Sequence, residues 1–212
     1  MNIRFKFCPH CGSELVVASI EGHNYKVCSR SEFAEHPDGD YDGDEGAESE
    51  GLASSETPRK CSFVHWNNPV PVAVTIIPRR HRVVLVRRRK EPKAGLWCPP
   101  CGFVNEGESP SLGAVREAGE ESGLSVSVAK RVLKMVSLKE VNEIMFFFRA
   151  RNVAGRLQHG SDALEVGWFS QDDLPPLAFD THREVLAQWF DRPVVRGWRR
   201  LAIVAAYLGI KL

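Results

Sequence analysis

The sequence has little that would take it out of water or onto a polyanion. Its longest late apolar run, Leu201 to Leu208, is too short to cross a bilayer. The amino terminus, MNIRFKFCPHCG, reaches a cysteine pair before an apolar run can form, so neither a secretory signal nor a membrane anchor is expected. Neither sign of charge is in excess. With 28 Lys and Arg against 27 Asp and Glu, the net is +1, and neither a nucleic-acid nor a membrane partner is expected. Six cysteines without a secretory signal point to metal ligands or free thiols, with the cytoplasm as default compartment, and away from a disulfide framework. What is present is ordinary: 43% hydrophobic and 26% charged residues in a chain of 212, enough for one sizeable core and a small appendage.

The chain changes character near Pro69. Residues 1–66 hold Cys8, Cys11, Cys28 and Cys61 among few apolar side chains, so this part needs a staple such as a metal to fold. Between Cys28 and Cys61 runs SRSEFAEHPDGDYDGDEGAESEGLASSETPRK, rich in Asp, Glu, Gly and Ser, which reads as a disordered acidic insert over about 29–60. The spacing of Asp38, Asp40, Asp42 and Asp44 resembles a calcium loop, but the glycine and terminal glutamate of such a loop are out of place.

Residues 67–212 read as an α/β layered domain. PVAVTIIP and RVVLVRRR are strands about a polar turn at Pro78–His81, and Gly95 to Val104 is a further strand and turn. Ser109-Pro110 opens a helix that Gly123 stops. Strands are expected near Ser127–Leu138, Ile144–Arg151 and Ala163–Phe169, and a helix over Thr181–Phe190 closes the core.

From Gly102 to Leu124 the chain reads GFVNEGESPSLGAVREAGEESGL. On the helix, Glu117, Glu120 and Glu121 share one face at i, i+3 and i+4, with Leu112, Val115 and Ala118 on the other. Three clustered carboxylates repel one another on a bare surface and are relieved by a hard divalent cation, magnesium or manganese. Upstream, Glu108 can pair with Arg116 across the loop, and Gly102, having no side chain, can bring its carbonyl close to the metal.

This stretch fills every fixed position of the Nudix box, and the chain resembles the Nudix hydrolases. The resemblance implies a mixed sheet sandwiched between helices, and magnesium-dependent hydrolysis of the pyrophosphate in a nucleoside diphosphate linked to another group. It implies Glu117 and Glu121 as metal ligands, with the Gly102 carbonyl beside them. Glu120 is a further ligand or the base that orients water, and Arg116 and Glu108 are the residues that fix the loop. Because the family places its base variably, Glu143 and Glu165 are candidates outside the box. The implied partner is a small nucleotide, and a homodimer is one arrangement the reading allows.

Cys8-Pro-His-Cys11-Gly looks like the first knuckle of a zinc ribbon. Some Nudix hydrolases carry such a ribbon at the amino terminus, ending in a cysteine, an aromatic and Asn-Pro. Cys61-SFVHWNNP is similar to that ending, and Cys28 to the third ligand, so structural zinc on Cys8, Cys11, Cys28 and Cys61 is implied. Cys98-Pro-Pro-Cys101 offers a rival partner for Cys8 and Cys11, or a redox pair, but its place at the entry to the catalytic loop favours simple packing.

Among ribbon-bearing relatives, those preferring NADH carry Ser-Gln-Pro-Trp-Pro, absent here. The segments around Asp162–Phe169 and Leu177–Leu186 are similar to relatives acting on ADP-ribose or FAD, so that class is expected ahead of NADH or an RNA cap. Trp66 and Phe103 are candidates to stack on adenine. The rival from another class is a ribbon-based binding or regulatory module that keeps the box without turnover.

Overall fold

The computed structural model describes residues 5–35 and 60–210, arranged as two compact units, Met1–Asn68 and Pro69–Leu212. Asp38, Asp40, Asp42 and Asp44, and with them the calcium pattern and most of the acidic stretch, lie outside the described residues. Among the described residues no helix is long and apolar enough to cross a membrane.

In the first unit β1 (Leu15–Ile20) and β2 (His23–Cys28) form an antiparallel hairpin, followed by the single helical turn α1 (Glu32–Glu35). The strand β3 (Val64–His65) adds to the other edge of β2. Glu21 and Gly22 turn the hairpin with positive φ, 51° and 76°, and glycine takes the second place because it carries no Cβ to strain. The part of the acidic stretch nearest Cys28 is therefore not featureless: its described start runs into α1. The apolar core is thin, with Ala18 and Val27 as its buried aliphatic residues among those described.

The second unit begins with β4 (Val70–Ile76), β5 (Pro78–Arg79) and β6 (Arg82–Arg88). Next come β7 (Trp97–Cys98), β8 (Cys101–Phe103), α2 (Pro110–Ser122), β9 (Leu124–Val128) and β10 (Lys134–Leu138). The long β11 (Glu143–Gly155), β12 (Ala163–Phe169), α3 (Asp180–Phe190) and α4 (Pro193–Tyr207) complete it. One sheet has the order β10-β11-β4-β8 with β9 also on β11; the other has β12-β6-β5 with β7 on β6. The first sheet is mixed, since β4 and β11 run parallel while β10, β9 and β8 run antiparallel to their neighbours.

The period of two along β4 and β6 decides which helix each face receives. Val72, Val74, Ile76, Val83 and Leu85 pack with Val185, Leu186, Trp189 and Phe190 of α3. The alternate residues face α2: Ala73 packs with Ala114, and Ile77 and Val84 pack with Ala118. Both faces are thus covered by helices, which makes β4 and β6 near-continuous apolar runs. Each fully buried Val, Leu or Phe side chain contributes about 1.5–3 kcal/mol of transfer free energy.

Two expectations need correction, and one helix was not expected. The stretch Ser127–Leu138 is not one strand but the end of β9 and all of β10, separated by a turn. The helix expected over Thr181–Phe190 closes the core as α3, and a further helix, α4, follows it with its own apolar side chains largely exposed. Leu112 is not on the buried side of α2; it is 61% exposed, and the face toward the sheet is Gly113, Ala114, Ala118 and Ser122. The reason is close approach. Ala73 and Gly113 leave no bulk between helix and strand, and the buried hydroxyl of Thr75 on β4 donates to the Ala114 carbonyl at 2.7 Å.

Candidate active site

The site is built where α2 crosses β4 and β8. Ser109 caps the helix by accepting from the Leu112 amide at 3.3 Å, Pro110 supplies the first helical residue, and Gly123 ends it in the left-handed region at φ 70°. A Cβ at Gly123 would also press on the carbonyl oxygens of Gln158 and Arg156, so a side chain there is excluded twice.

Arg116 ties the loop to the helix. Its Nε donates to Glu108 Oε1 and its Nη2 to Glu108 Oε2, both at 3.0 Å, a bidentate pair with half-buried partners. The same Nη2 donates to the Phe103 carbonyl at 2.9 Å, and Nη1 donates to Glu117 Oε1 at 2.6 Å and to Glu120 Oε2 at 3.1 Å. Glu108 Oε2 also accepts from the Asn105 amide at 3.0 Å. One guanidinium therefore joins loop, β8 backbone and helix, and Glu108 is held below the usual carboxylate range mainly by its hydrogen bonds from Arg116.

Glu117 and Glu121 lie one turn apart beside the β8 backbone. A Cβ at Gly102 would overlap the Glu117 carboxylate, so only glycine lets that side chain lie over the strand. Glu121 Oε2 accepts from the Cys101 amide at 2.9 Å. Burial raises the pKa of Glu117, and burial first, then Cys98, pushes Glu121 up to about 8. Two poorly solvated carboxylates with more negative charge nearby form an all-oxygen donor set whose charge a hard dication would offset.

Glu120 is the outward member of the trio, with a 59% exposed side chain and only Arg116 as ion-pair partner among the described residues. The outside candidates do not join this cluster. Glu165 on β12 pairs with Arg87 at 2.7 Å on the surface, and Glu143 begins β11 opposite Val70. Phe103 is 57% exposed. Trp66, in the first unit, is 49% exposed with its ring edge-on to Tyr25 at 5.0 Å.

Sequence reasoning missed Arg88. At the end of β6, its positive charge favours the thiolate of Cys98 and opposes protonation of Glu121, and its guanidinium lies 5.2 Å from the Phe179 ring. Nothing in a run of adjacent arginines distinguishes this one. Only the alternation of β6, carried to its last residue, aims it inward.

In the first unit the four thiols of Cys8, Cys11, Cys28 and Cys61 lie within 4.8 Å of one another, with Cys8–Cys61 at 3.6 Å and Cys11–Cys28 at 3.5 Å. Tetrahedral zinc with Zn–S bonds of about 2.3 Å requires S–S separations of about 3.8 Å, so the donors fit. Burial pushes Cys28 up to about 12, whereas hydrogen bonding with Ser13 brings Cys11 down to about 6. Cys98 and Cys101 do not join this group: their sulfurs face each other at 4.0 Å beside the Glu121 backbone contact.

The model of the NUDIX domain matches residues 67–190. An ADP-ribose pyrophosphatase of Methanocaldococcus jannaschii is 32% identical over 126 residues, 58% of this chain and 73% of that protein. An NAD-capped RNA hydrolase NudC of Vibrio vulnificus is 26% identical over 120 residues, but the chain covers only 45% of its length. The crystal structure of a NUDIX hydrolase from Nitrosomonas europaea superposes with a TM-score of 0.66 over 89% of this chain and 92% of that one, at 23% identity, which shows a shared fold. With the family model spanning more than half of its length and the loop and helix from Gly102 to Leu124 built as described, the chain belongs to the NUDIX domain family.

Proposed function

We propose that the protein hydrolyses the pyrophosphate bond of a nucleoside diphosphate linked to another group, with ADP-ribose or FAD as the substrate class. The observation that carries this reading is the pair Glu117 and Glu121, one helical turn apart and partly desolvated against the Cys101–Gly102 backbone. Arg116 pairs with Glu117, but Glu121 is desolvated with no ion-pair partner among the described residues, which is costly, and NUDIX hydrolases use divalent metals. Glu117 and Glu121, with the Gly102 carbonyl, are the groups to hold magnesium or manganese. When bound there, such a cation neutralises phosphate charge and lowers the pKa of a coordinated water.

The remaining work belongs to the chain. Arg116, neutralised by Glu108, keeps the loop backbone and Glu117 in fixed relation, so the ligands are arranged before the substrate arrives. Glu120, exposed and held at one oxygen, is positioned to take the proton of the attacking water. Glu165 is the weaker base candidate because it stands on β12, whereas Glu120 shares the helix of Glu117 and Glu121. Glu143 remains the second candidate.

The name of the Methanocaldococcus relative supports the ADP-ribose class, while that of the Vibrio relative supports NADH or an RNA cap as second reading. We assign zinc on Cys8, Cys11, Cys28 and Cys61 a structural role, since all four positions are filled by protein. A cytoplasmic location suits six unbridged cysteines among the described residues.

The test is incubation with magnesium and, separately, ADP-ribose, FAD, NADH and NAD-capped RNA, reading released monophosphates. ADP-ribose or FAD is expected to turn over fastest. Preference for NADH or capped RNA would replace the substrate class, and no turnover of any would favour the binding or regulatory module.

A further inference from the structure

At the far end of β6 from Arg88 lies a hollow of about 480 Å³ that shares no residue with the carboxylate site. Arg82 opens β6 and Arg88 closes it, so at ~3.3 Å per residue the two regions are about 20 Å apart along the strand. One wall is the Pro78–Arg82 hairpin, and the other is α4 with Ile203 and Ala206. Its size is that of a small-molecule pocket, roughly 300–1,000 Å³.

Its charge is unbalanced. Arg79, Arg80 and Arg82 form no ion pair with a carboxylate among the described residues. Asp172 and Arg199 both line the hollow and pair with each other there, and Asp173 accepts from the Ser170 hydroxyl at 2.7 Å, so the three arginines are left without a carboxylate partner among the described residues. Arg79 lies over the Trp168 ring at 5.8 Å and Arg80 over Trp198 at 5.9 Å. A guanidinium held over an indole keeps its N–H donors in its own plane, directed past the ring, where they suit phosphate oxygens. His81 lines the same hollow, with its Nδ1 buried and without a hydrogen-bond partner among the described residues.

We propose that this hollow is a second small-molecule site, built for a nucleoside 5′-phosphate. The phosphate is received by Arg79, Arg80 and Arg82, and the planar base by the apolar wall of α4 that Ile203 and Ala206 provide. The site does not depend on the hydrolysis assigned to Glu117 and Glu121.

Calorimetric titration of the full chain with AMP, without added magnesium, tests this, because the metal-free carboxylate site repels phosphate. One AMP per chain is expected, with adenosine and inorganic phosphate each binding at least tenfold more weakly. Joint Arg80→Glu and Arg82→Glu should weaken AMP at least thirtyfold while leaving magnesium-dependent turnover and circular dichroism unchanged, and Glu117→Gln should leave AMP binding intact. If the double reversal fails to fold, Trp198→Ala, which removes the indole beneath the Arg80 guanidinium, is expected to weaken AMP at least tenfold. The proposal is overturned by no AMP binding, by binding indifferent to these arginines and Trp198, or by loss of binding in Glu117→Gln. Arginine-dependent binding to phosphatidylserine vesicles without AMP uptake would overturn it in favour of a membrane surface.

Discussion

Arg116 and His182 show how differently one side chain can be used in this fold. Arg116 spends its donors on Glu108, Glu117, Glu120 and the Phe103 carbonyl, and its own pKa is raised above the ordinary arginine value by these partners. His182 has none: both ring nitrogens are buried without a hydrogen-bond partner among the described residues, edge-on to Phe147 and Phe179 at 5.8 and 5.2 Å. Burial first, with Arg88 adding to it, drops its pKa from 6.5 to about 3. The sign follows. Between about pH 6.5 and 3 the unfolded chain binds a proton at this position that the folded chain refuses, so stability falls as pH falls through that window. The slope from this one group is about 1.4 kcal/mol per pH unit. Denaturant unfolding of His182→Leu is expected to lose less stability than the parent between pH 7 and 4.5, and an unchanged pH dependence would contradict the burial assigned to this imidazole.

At the scale of elements, α2 was legible almost to the residue, because its start and stop are written in local chemistry: a Ser cap, Pro110, and Gly123 where φ is positive. Its orientation was not. Periodicity placed Leu112 beneath the helix, but the helix lies so close to β4 that Ala114 and Ala118 face the strand and Leu112 is turned to water. Small residues that permit contact carry little hydrophobic signal, so the pattern read the larger one. The turn between β9 and β10 lacked Gly or Pro to announce it. α4 escaped notice because its apolar residues are not confined to one buried stripe: Val195 and Ala205 are buried, while Leu201, Ile203, Val204 and Tyr207 are exposed. The chemistry-bearing spacing of Gly102, Glu108, Arg116, Glu117, Glu120 and Glu121 was readable in sequence. The roles of Arg88, at the end of an arginine run, and of the hollow beside α4 depend on packing that no spacing encodes.

Taken whole, the molecule pairs a unit with little apolar core and four converging thiols with a unit whose core lies between α2 and α3. The first should depend on metal for its fold. Elemental analysis is expected to find one zinc per chain, lost in Cys61→Ser and kept in Cys98→Ser; zinc retained in the first or lost in the second would contradict the ligand set. The second unit carries the central claim, that Glu117 and Glu121 form the metal site of a pyrophosphatase. Its most direct test is magnesium-dependent release of AMP from ADP-ribose by the parent chain and by Glu121→Gln, with circular dichroism to show that the fold is kept. A loss of roughly two to four orders of magnitude in the variant is predicted; release at a near-parental rate would contradict the account.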